Sequence, residues 1–158
     1  MPIDPRFVGK RYGPFRYEIG LEKMREFALA VGGGVPSASF GSIPEDLNPL
    51  LYDEGAGKNG PYGSVIAFPT FAVTFAIAPF AAAVSDPELD INLLMVVHGE
   101  QQFEFFDAMR PGDVVTTTGW ISQIFEKSQK DFLIVVSESK NQKDQPLVRA
   151  TWTAVIRR

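Results

Sequence analysis

The chain has 158 residues and a formal net charge of −4, and 45% of its residues are hydrophobic and 22% charged. This length and composition predict one soluble domain, residues 1–158, with a substantial core. The absence of cysteine excludes disulfides, thiolate catalysis and cysteine-based metal sites, and the single histidine excludes a histidine-rich metal site within one chain. The negative charge argues against nucleic acid or an anionic membrane as a main partner.

Residues 1–13 contain no apolar core typical of a signal peptide, so they do not indicate export. Together with the lack of cysteine, this predicts a cytoplasmic protein. Residues 15–19 alternate apolar and polar side chains and predict a short strand, and residues 20–31 predict a helix because apolar residues recur at helical spacing. The three glycines at 32–34 predict the end of this helix, since their spacing does not fit a dinucleotide-binding loop.

Residues 35–62 form a long irregular stretch, in which residues 50–56 favour a turn or two of helix. Loops of this length are uncommon in compact domains unless they are functional. The stretch contains a cluster of polar side chains, namely Glu45, Asp46, Asn48, Tyr52 and Asp53. Such residues either cap backbone groups in a turn, or place a carboxylate where it can act as a general base.

Residues 65–84 carry no charge and predict a buried central helix that begins at Pro69 and is apolar on every face. A membrane span is the alternative, but Pro69 and Pro79 leave a helix of roughly 15 residues, a length nearer that of a buried core helix. The N-terminus of this helix offers unpaired N–H groups that suit a developing oxyanion.

Four strand-like runs follow the helix, with a tight turn at residues 109–113; the runs are residues 93–106, 114–125, 132–140 and 148–156. The order predicts an α+β fold, in which an antiparallel meander wraps round one long apolar helix. The free face of such a sheet predicts a dimer. His98 lies within the first run, where a lone histidine is more often structural than catalytic.

Several stretches resemble one known family. Residues 46–53, DLNPLLYD, resemble the D-x-N-P-x-H-x-D motif of the MaoC-like (R)-specific enoyl-CoA hydratases and 3-hydroxyacyl dehydratases. The stretch from Gly63 to Pro69 and residues 98–113, HGEQQFEFFDAMRPGD, are also similar. The chain most resembles the N-terminal dehydratase-like half of that superfamily, over nearly its whole length.

The resemblance implies the hot dog fold, a curved antiparallel sheet round a long helix. It implies syn addition of water to a trans-2-enoyl thioester, or the reverse dehydration, in fatty acid metabolism. An aspartate and a histidine hold the water, and backbone N–H groups near the helix polarise the thioester carbonyl. Asp46 and Asn48 match family residues and are the candidate catalytic residues, but the family histidine falls on Leu51. Leucine cannot transfer a proton.

The implied ligand is an acyl thioester carried by CoA or by an acyl carrier protein, and no metal or redox cofactor is implied. The candidate substrate-binding residues lie in the motif and at the start of the central helix: Tyr52, Tyr62, Gly63, Ala67, Phe68, Pro69, Thr70 and Phe71. Phe68, Phe71 and Phe75 either line an acyl slot or belong to the core.

Three hypotheses remain. In the first, the chain is one subunit of a hydratase or dehydratase, a homo- or heterodimer with another hot dog chain that supplies the complete Asp–His pair. In the second, the chain is a self-sufficient hydratase that uses Asp46 with His98 or Tyr52. In the third, it is a non-catalytic acyl-thioester-binding or scaffolding protein in which Asp46 caps a turn.

Overall fold

The structure is a computed structural model, and it describes residues 2–32 and 47–157. Of the candidate residues above, Glu45 and Asp46 lie outside the described part, as do the last two of the three glycines. Asn48, Leu51 and all the candidate substrate-binding residues lie within it.

Five strands form one sheet in the spatial order β1-β3-β4-β5-β2, and each neighbouring pair is antiparallel. The strands are β1 (Arg11–Glu18), β2 (Val96–Phe105), β3 (Val114–Lys127), β4 (Lys130–Lys140) and β5 (Pro146–Arg157). All five predicted strands are present, and their apolar alternation is confirmed by the burial of every second side chain along β4.

The prediction of a continuous four-strand meander is wrong in one respect, because β2 pairs with β5 rather than with β3. The turn between β2 and β3 docks on the end of β1 instead of folding β2 back. Ile19 N–H donates to the carbonyl of Asp113 at 2.9 Å, and Gly112 N–H donates to the carbonyl of Ile19 at 2.8 Å. These bonds place β3 beside β1 and leave β2 at the opposite edge of the sheet.

The first helix, α1 (Leu21–Gly32), agrees with the predicted helix. Its residues Met24 and Ala28 are fully buried against the rest of the molecule. The irregular stretch contains a short 3-10 helix, Pro49–Leu51, and a short helix, α2 (Glu54–Asn59).

The central helical segment begins at Pro69, as predicted, but it is not one uniform helix. A 3-10 helix, Pro69–Ala72, leads into α3 (Val73–Ala76), and α4 (Ala78–Val84) follows after Ile77. The interruption has a local cause, because Pro79 has no N–H to donate to the preceding turn.

The prediction that this segment is buried on every face is wrong for the described chain. Phe71, Phe75 and Ala76 are buried, but one face remains partly or fully exposed; its residues are Thr70, Val73, Thr74, Ile77 and Ala81. Their spacing of three or four residues places them on one side of the helix. The sheet therefore covers only part of the segment.

Two contacts hold the central segment against the sheet. The Ser137 hydroxyl donates to the carbonyl of Ala76 at 2.8 Å and accepts from the indole N–H of Trp152 at 3.1 Å. At Gly119, a side chain would collide with the ring of Pro79 and lie 2.7 Å from the carbonyl oxygen of Val136. The helix thus approaches the strand backbone closely at a position that requires glycine.

The main core lies between this segment and the sheet, with Trp152, Phe71, Met24 and Leu133 fully buried. None of the helices in residues 2–32 and 47–157 combines the length and apolar character needed to cross a membrane.

Candidate functional site

The polar residues of the described motif segment cap backbone groups. The Asn48 carboxamide oxygen accepts the N–H of Leu50 at 3.0 Å, which caps the 3-10 helix. The Asp53 carboxylate accepts the N–H of Ala56 at 2.7 Å, which caps α2. Both side chains are exposed, and each accepts a capping hydrogen bond from a backbone N–H within this chain.

Leu51 lies beneath these caps in a small apolar cluster. Its exposed fraction is 8%, and the other buried members of the cluster are Leu47 and Ala28 of α1. Partly buried side chains complete the cluster, namely Leu29, Tyr52, Ile66 and Phe68. The position is therefore a packed contact between the motif segment, α1 and the residues that lead into the central helix.

Polar contacts fix the motif segment at the same place. The Arg25 guanidinium of α1 donates to the carbonyl of Tyr52 at 2.8 Å, and Ile66 N–H donates to the carbonyl of Leu50 at 3.0 Å. Arg25 also pairs with Glu22 and Glu54. The segment is thus tied on one side to α1 and on the other to the start of the central helix.

The start of the central helix is bound to the turn after β2. Ala67 N–H donates to the carbonyl of Met109 at 2.9 Å, so this N–H and that of Ile66 are both used structurally. Phe68 caps the helix without a side-chain hydrogen bond, and Pro69 has no N–H. Thr70 consequently carries the first backbone N–H within the helix.

Two clefts flank this helix start. The first, here the Tyr62 cleft, has a volume of about 370 Å³ and is lined by Tyr62, Ile66, Ala67, Pro69, Phe105, Phe106, Asp107, Ala108 and Met109. The second, here the Phe27 cleft, has a volume of about 380 Å³ and is lined by Phe27, Thr70, Val73, Gln101 and Phe103. Both clefts are mainly apolar, as small-molecule sites commonly are, and each includes residues from β2 or its end.

The candidate substrate-binding residues divide into four groups: cleft residues, members of the apolar cluster around Leu51, a turn glycine and a core phenylalanine. Tyr62, Ala67 and Pro69 line the Tyr62 cleft, and Thr70 lines the Phe27 cleft. Tyr52 and Phe68 belong to the apolar cluster around Leu51, while Gly63 forms a turn at a φ of 64°.

Phe71 and Phe75 are core residues, with exposed fractions of 0% and 3%, and they make ring contacts with Tyr17. Sequence reasoning did not single out Phe27, Phe103 or Phe105 as cleft residues. The phenylalanines at the end of β2 could have indicated an apolar cleft. However, β2 lies at the edge of the sheet because it pairs with the distant strand β5, which the sequence pattern does not show.

One carboxylate lines the Tyr62 cleft among the described residues. Burial raises the pKa of Asp107, but the Ala108 N–H, 2.7 Å away, and the Arg110 guanidinium, 3.3 Å away, outweigh it and lower the pKa. Asp107 is therefore ionised at neutral pH and is not a general acid there.

His98 packs against aromatic side chains of the core. Its ring is 5.8 Å from the rings of both Phe80 and Trp152, beside α4. Phe80 is 11 residues along the central segment from Pro69, about 16 Å at 1.5 Å per residue. The structure thus does not bring His98 to the helix start.

The sequence matches a family model described as the FAS1-like dehydratase domain region, over residues 6–150. The chain belongs to this family. A relative from Saccharopolyspora erythraea, named only UPF0336 protein, is 36% identical and covers 99% of this chain and 93% of its own. The family assignment therefore rests on the sequence match, since the name of that relative states no activity.

Solved structures place this dehydratase-family chain among hot dog folds. It is similar to a MaoC-like dehydratase from Rhodospirillum rubrum, with a TM-score of 0.68, 17% identity and coverage of 96% of this chain and 92% of that one. It is also similar to a chain of the truncated HadBC (3R-hydroxyacyl-ACP dehydratase) complex from Mycobacterium tuberculosis, with a TM-score of 0.74, 20% identity and coverage of 94% and 96%. The predicted relation to MaoC-like dehydratases and the predicted hot dog fold are confirmed.

For a member of the dehydratase family, the described residues supply two mainly apolar clefts beside a helix start. Leucine occupies the position at which the resemblance implies histidine, Asp107 is held ionised, and His98 packs on Phe80. The mainly apolar walls of both clefts suit an apolar ligand.

Proposed function

We propose that this chain is the acyl-binding subunit of an enoyl-thioester hydratase, or 3-hydroxyacyl-thioester dehydratase, whose Asp–His pair comes from a partner hot dog chain. The observation that carries the proposal is the burial of Leu51 at 8% exposure, in an apolar cluster at the position of the family histidine. A histidine there would face leucine, isoleucine and phenylalanine side chains instead of water.

The reaction explains why this substitution matters. In hydration, water loses a proton to a general base, its oxygen bonds to C3 of the enoyl thioester, and a proton is delivered to C2. Dehydration runs through the same steps in reverse. Each direction needs a group that accepts and returns a proton, which leucine cannot do.

The two clefts support an acyl thioester as the ligand. They lie on either side of residues 69–70, with volumes of about 370 and 380 Å³ and mostly apolar walls. An acyl chain bound in one of them would gain free energy in proportion to the apolar area that it buries. The carrier, CoA or an acyl carrier protein, would remain outside.

The partially exposed face of the central segment supports a partner subunit. Val73 and Ile77 lie on that face, and Val73 also lines the Phe27 cleft together with Gln101 and Phe103 of β2. A second hot dog chain against this side would cover the face, close the clefts and bring its own catalytic residues to the bound thioester. The similar mycobacterial structure is itself described as a complex.

The test is the loss of enoyl-thioester absorbance with crotonyl-CoA and with a longer trans-2-enoyl-CoA. The purified chain alone should give no turnover, and addition of a partner hot dog chain with an intact D-x-N-P-x-H motif should restore it. Inactivation of that partner's motif should abolish turnover, whereas Asp46→Asn in this chain should leave the activity of the complex within about twofold. Full activity of the pure chain, lost in Asp46→Asn, would overturn the proposal.

Capping by Asn48 and Asp53 favours the binding or scaffolding function as the second candidate. The same assay separates the two functions. If the complex binds acyl-CoA, as measured by calorimetry, yet shows no turnover with any partner, the chain is a binding protein and the hydro-lyase proposal fails.

A further inference from the structure

The strand β2 lies at an edge of the sheet, where another strand can pair with it. We propose that β2 selects an unlike hot dog chain, one with lysine or arginine on the matching face of its own edge strand, and disfavours a second copy of this chain. This inference rests on the proposed partner subunit and identifies the residues that choose it.

The β2 strand is open for pairing on one side. It pairs with β5 over residues 96–105, and no other strand of the described chain lies on its far side. The outward backbone N–H and C=O groups of such an edge are a template for another strand. A strand from a second sheet would extend the five-stranded sheet across the contact.

Both ends of β2 carry exposed apolar side chains. Before the strand, Leu94 is 91% exposed and Leu93 is 55% exposed, and after it Phe106 is 47% exposed. Within the strand, Val97 and Phe105 are 40% and 45% exposed. Large apolar side chains exposed at both ends of one edge strand favour an interaction surface there, so we infer that a partner covers this edge.

The middle of the strand is acidic on the face away from the helix. Gln101 and Phe103 line the Phe27 cleft beside the helix, so Glu100, Gln102 and Glu104 point to the opposite face. Arg149 partly neutralises Glu104 at 3.6 Å but lies closer to Glu138, at 2.7 Å. Glu100 stands opposite Thr153 and makes no ion pair with the residues that the structure describes.

Self-pairing would bring these glutamates together. Two copies of β2 related by a twofold axis are antiparallel, and residues of the same face oppose one another. With the axis at Glu100, Gln102 or Glu104, a glutamate lies directly opposite a glutamate. With the axis at Gln101 or Phe103, each glutamate opposes a different residue but is diagonal to another glutamate. Like charges opposite one another destabilise a strand pair, and the symmetry repeats each such contact.

An unlike strand removes this repulsion. If its matching face carries lysine or arginine, each glutamate of β2 gains a cross-strand partner of opposite charge. The exposed apolar ends supply the attraction for either partner, and the acidic row supplies the discrimination between them. The partner is therefore a hot dog chain whose edge strand is basic.

The experiment is sedimentation of the full chain alone, over micromolar concentrations and at several salt concentrations. Wild type should self-associate weakly, and more strongly as salt screens the glutamates. The double variant Glu100→Gln with Glu104→Gln should self-associate roughly tenfold more tightly and lose most of the salt dependence. A matched control with the same change in net charge, Glu18→Gln with Glu26→Gln, alters exposed residues away from β2 and should behave as wild type.

A charge-reversal mixture provides a second measurement. The variant Glu100→Lys with Glu104→Lys should pair with wild type in preference to itself, so that mixed dimers exceed the statistical half in native mass spectra. A tight wild-type dimer that is insensitive to salt, or a mixture with no excess of mixed dimers, would overturn the inference. Neither result depends on catalysis, so it can be told apart from a failure of the activity assay.

Discussion

The Ser137 hydroxyl, in the middle of β4, donates a 2.8 Å hydrogen bond to the carbonyl of Ala76 in the central helical segment. The same oxygen accepts the indole N–H of Trp152 at 3.1 Å. Ser137, Ala76 and Trp152 are all fully buried, so neither polar neighbour has water as a substitute. One hydroxyl therefore positions the helix and the largest core side chain together.

Replacement of this hydroxyl should be costly. Ser137→Ala leaves the Ala76 carbonyl without its Ser137 bond and the Trp152 indole without its acceptor, and should lower the free energy of unfolding by about 1–3 kcal/mol. Urea denaturation followed by tryptophan fluorescence measures the loss. Ser122→Ala is the control, because the Ser122 hydroxyl makes one longer bond, 3.2 Å, to Ile134 and is only partly buried. Equal effects of the two changes would contradict this interpretation.

Gly119→Ala should destabilise the chain through a steric effect. The added methyl group collides with Pro79 and with the Val136 carbonyl, so the helix must move away from β3, at a cost of about 1–3 kcal/mol. Thermal unfolding gives the comparison with Gly20→Ala, where a methyl group would meet nothing within 4 Å. A Gly119→Ala protein as stable as Gly20→Ala would show that the close approach is unimportant.

Asp86 should contribute to the loss of stability of the chain at acidic pH. Lys10, 2.6 Å away, and the Tyr12 hydroxyl, at 2.8 Å, stabilise the carboxylate and lower its pKa in the folded state. The resulting stability is present above the unfolded-state pKa of about 3.9 and is lost as the pH falls through the lower folded-state pKa.

Asp86→Asn should therefore lower the urea midpoint at pH 6 and flatten its decline below about pH 4. The exposed Asp90→Asn serves as the control. Burial, and then the bond to Asp86, raise the pKa of Tyr12, so Tyr12 should show no titration at physiological pH. If the urea midpoint of Asp86→Asn still fell steeply below about pH 4, the loss of stability in acid would have to come from other groups.

Restoration of the family histidine should not restore catalysis. Leu51→His places an imidazole in the cluster of Leu47, Ile66 and Phe68, where burial of its polar atoms costs about 1–3 kcal/mol. We expect lower stability and no enoyl-CoA turnover by the chain alone. Leu51→Met, which conserves volume, should stay within about 1.5 kcal/mol of wild type. Turnover by Leu51→His would mean that the missing histidine is the only defect of the chain.

The Phe27 cleft should control acyl-chain length in the active complex. Val73→Phe fills part of the cleft from the partially exposed face of α3. The kcat/KM for a long trans-2-enoyl-CoA should fall by roughly tenfold or more, whereas the kcat/KM for crotonyl-CoA, with its four-carbon chain, should change much less. Equal losses for both substrates would indicate damage to the subunit contact instead.

Local patterns predicted much of this fold. Alternation along β4 and β5 and the proline at residue 69 located strands and the helix start, because these signals depend on neighbouring residues. The edge position of β2 and the partially exposed helix face were not predictable in this way. Both features depend on which distant segments pair and pack against each other. A run of small apolar residues has the same sequence pattern whether it packs against a sheet or against a partner chain.

The candidate site was predictable only in part. The motif located Asn48 and Leu51 in the chain, but their capping and packing depend on α1, which a motif does not describe. The clefts draw their second wall from β2, about 30 residues later in the sequence, so no local pattern links Phe103 with Thr70. His98, attractive as the single histidine, proved to be a neighbour of Phe80.

The bond from Ala67 N–H to the Met109 carbonyl joins the start of the central helix to the segment that leaves β2. Residues 105–109 are at once the continuation of the edge strand and a wall of the Tyr62 cleft. A strand that pairs with β2 thus also restrains the shape of the cleft. By thermodynamic linkage, any ligand that binds the restrained cleft more tightly than the free one must strengthen association through β2 by the same factor; if the proposed acyl thioester is that ligand, its concentration controls assembly.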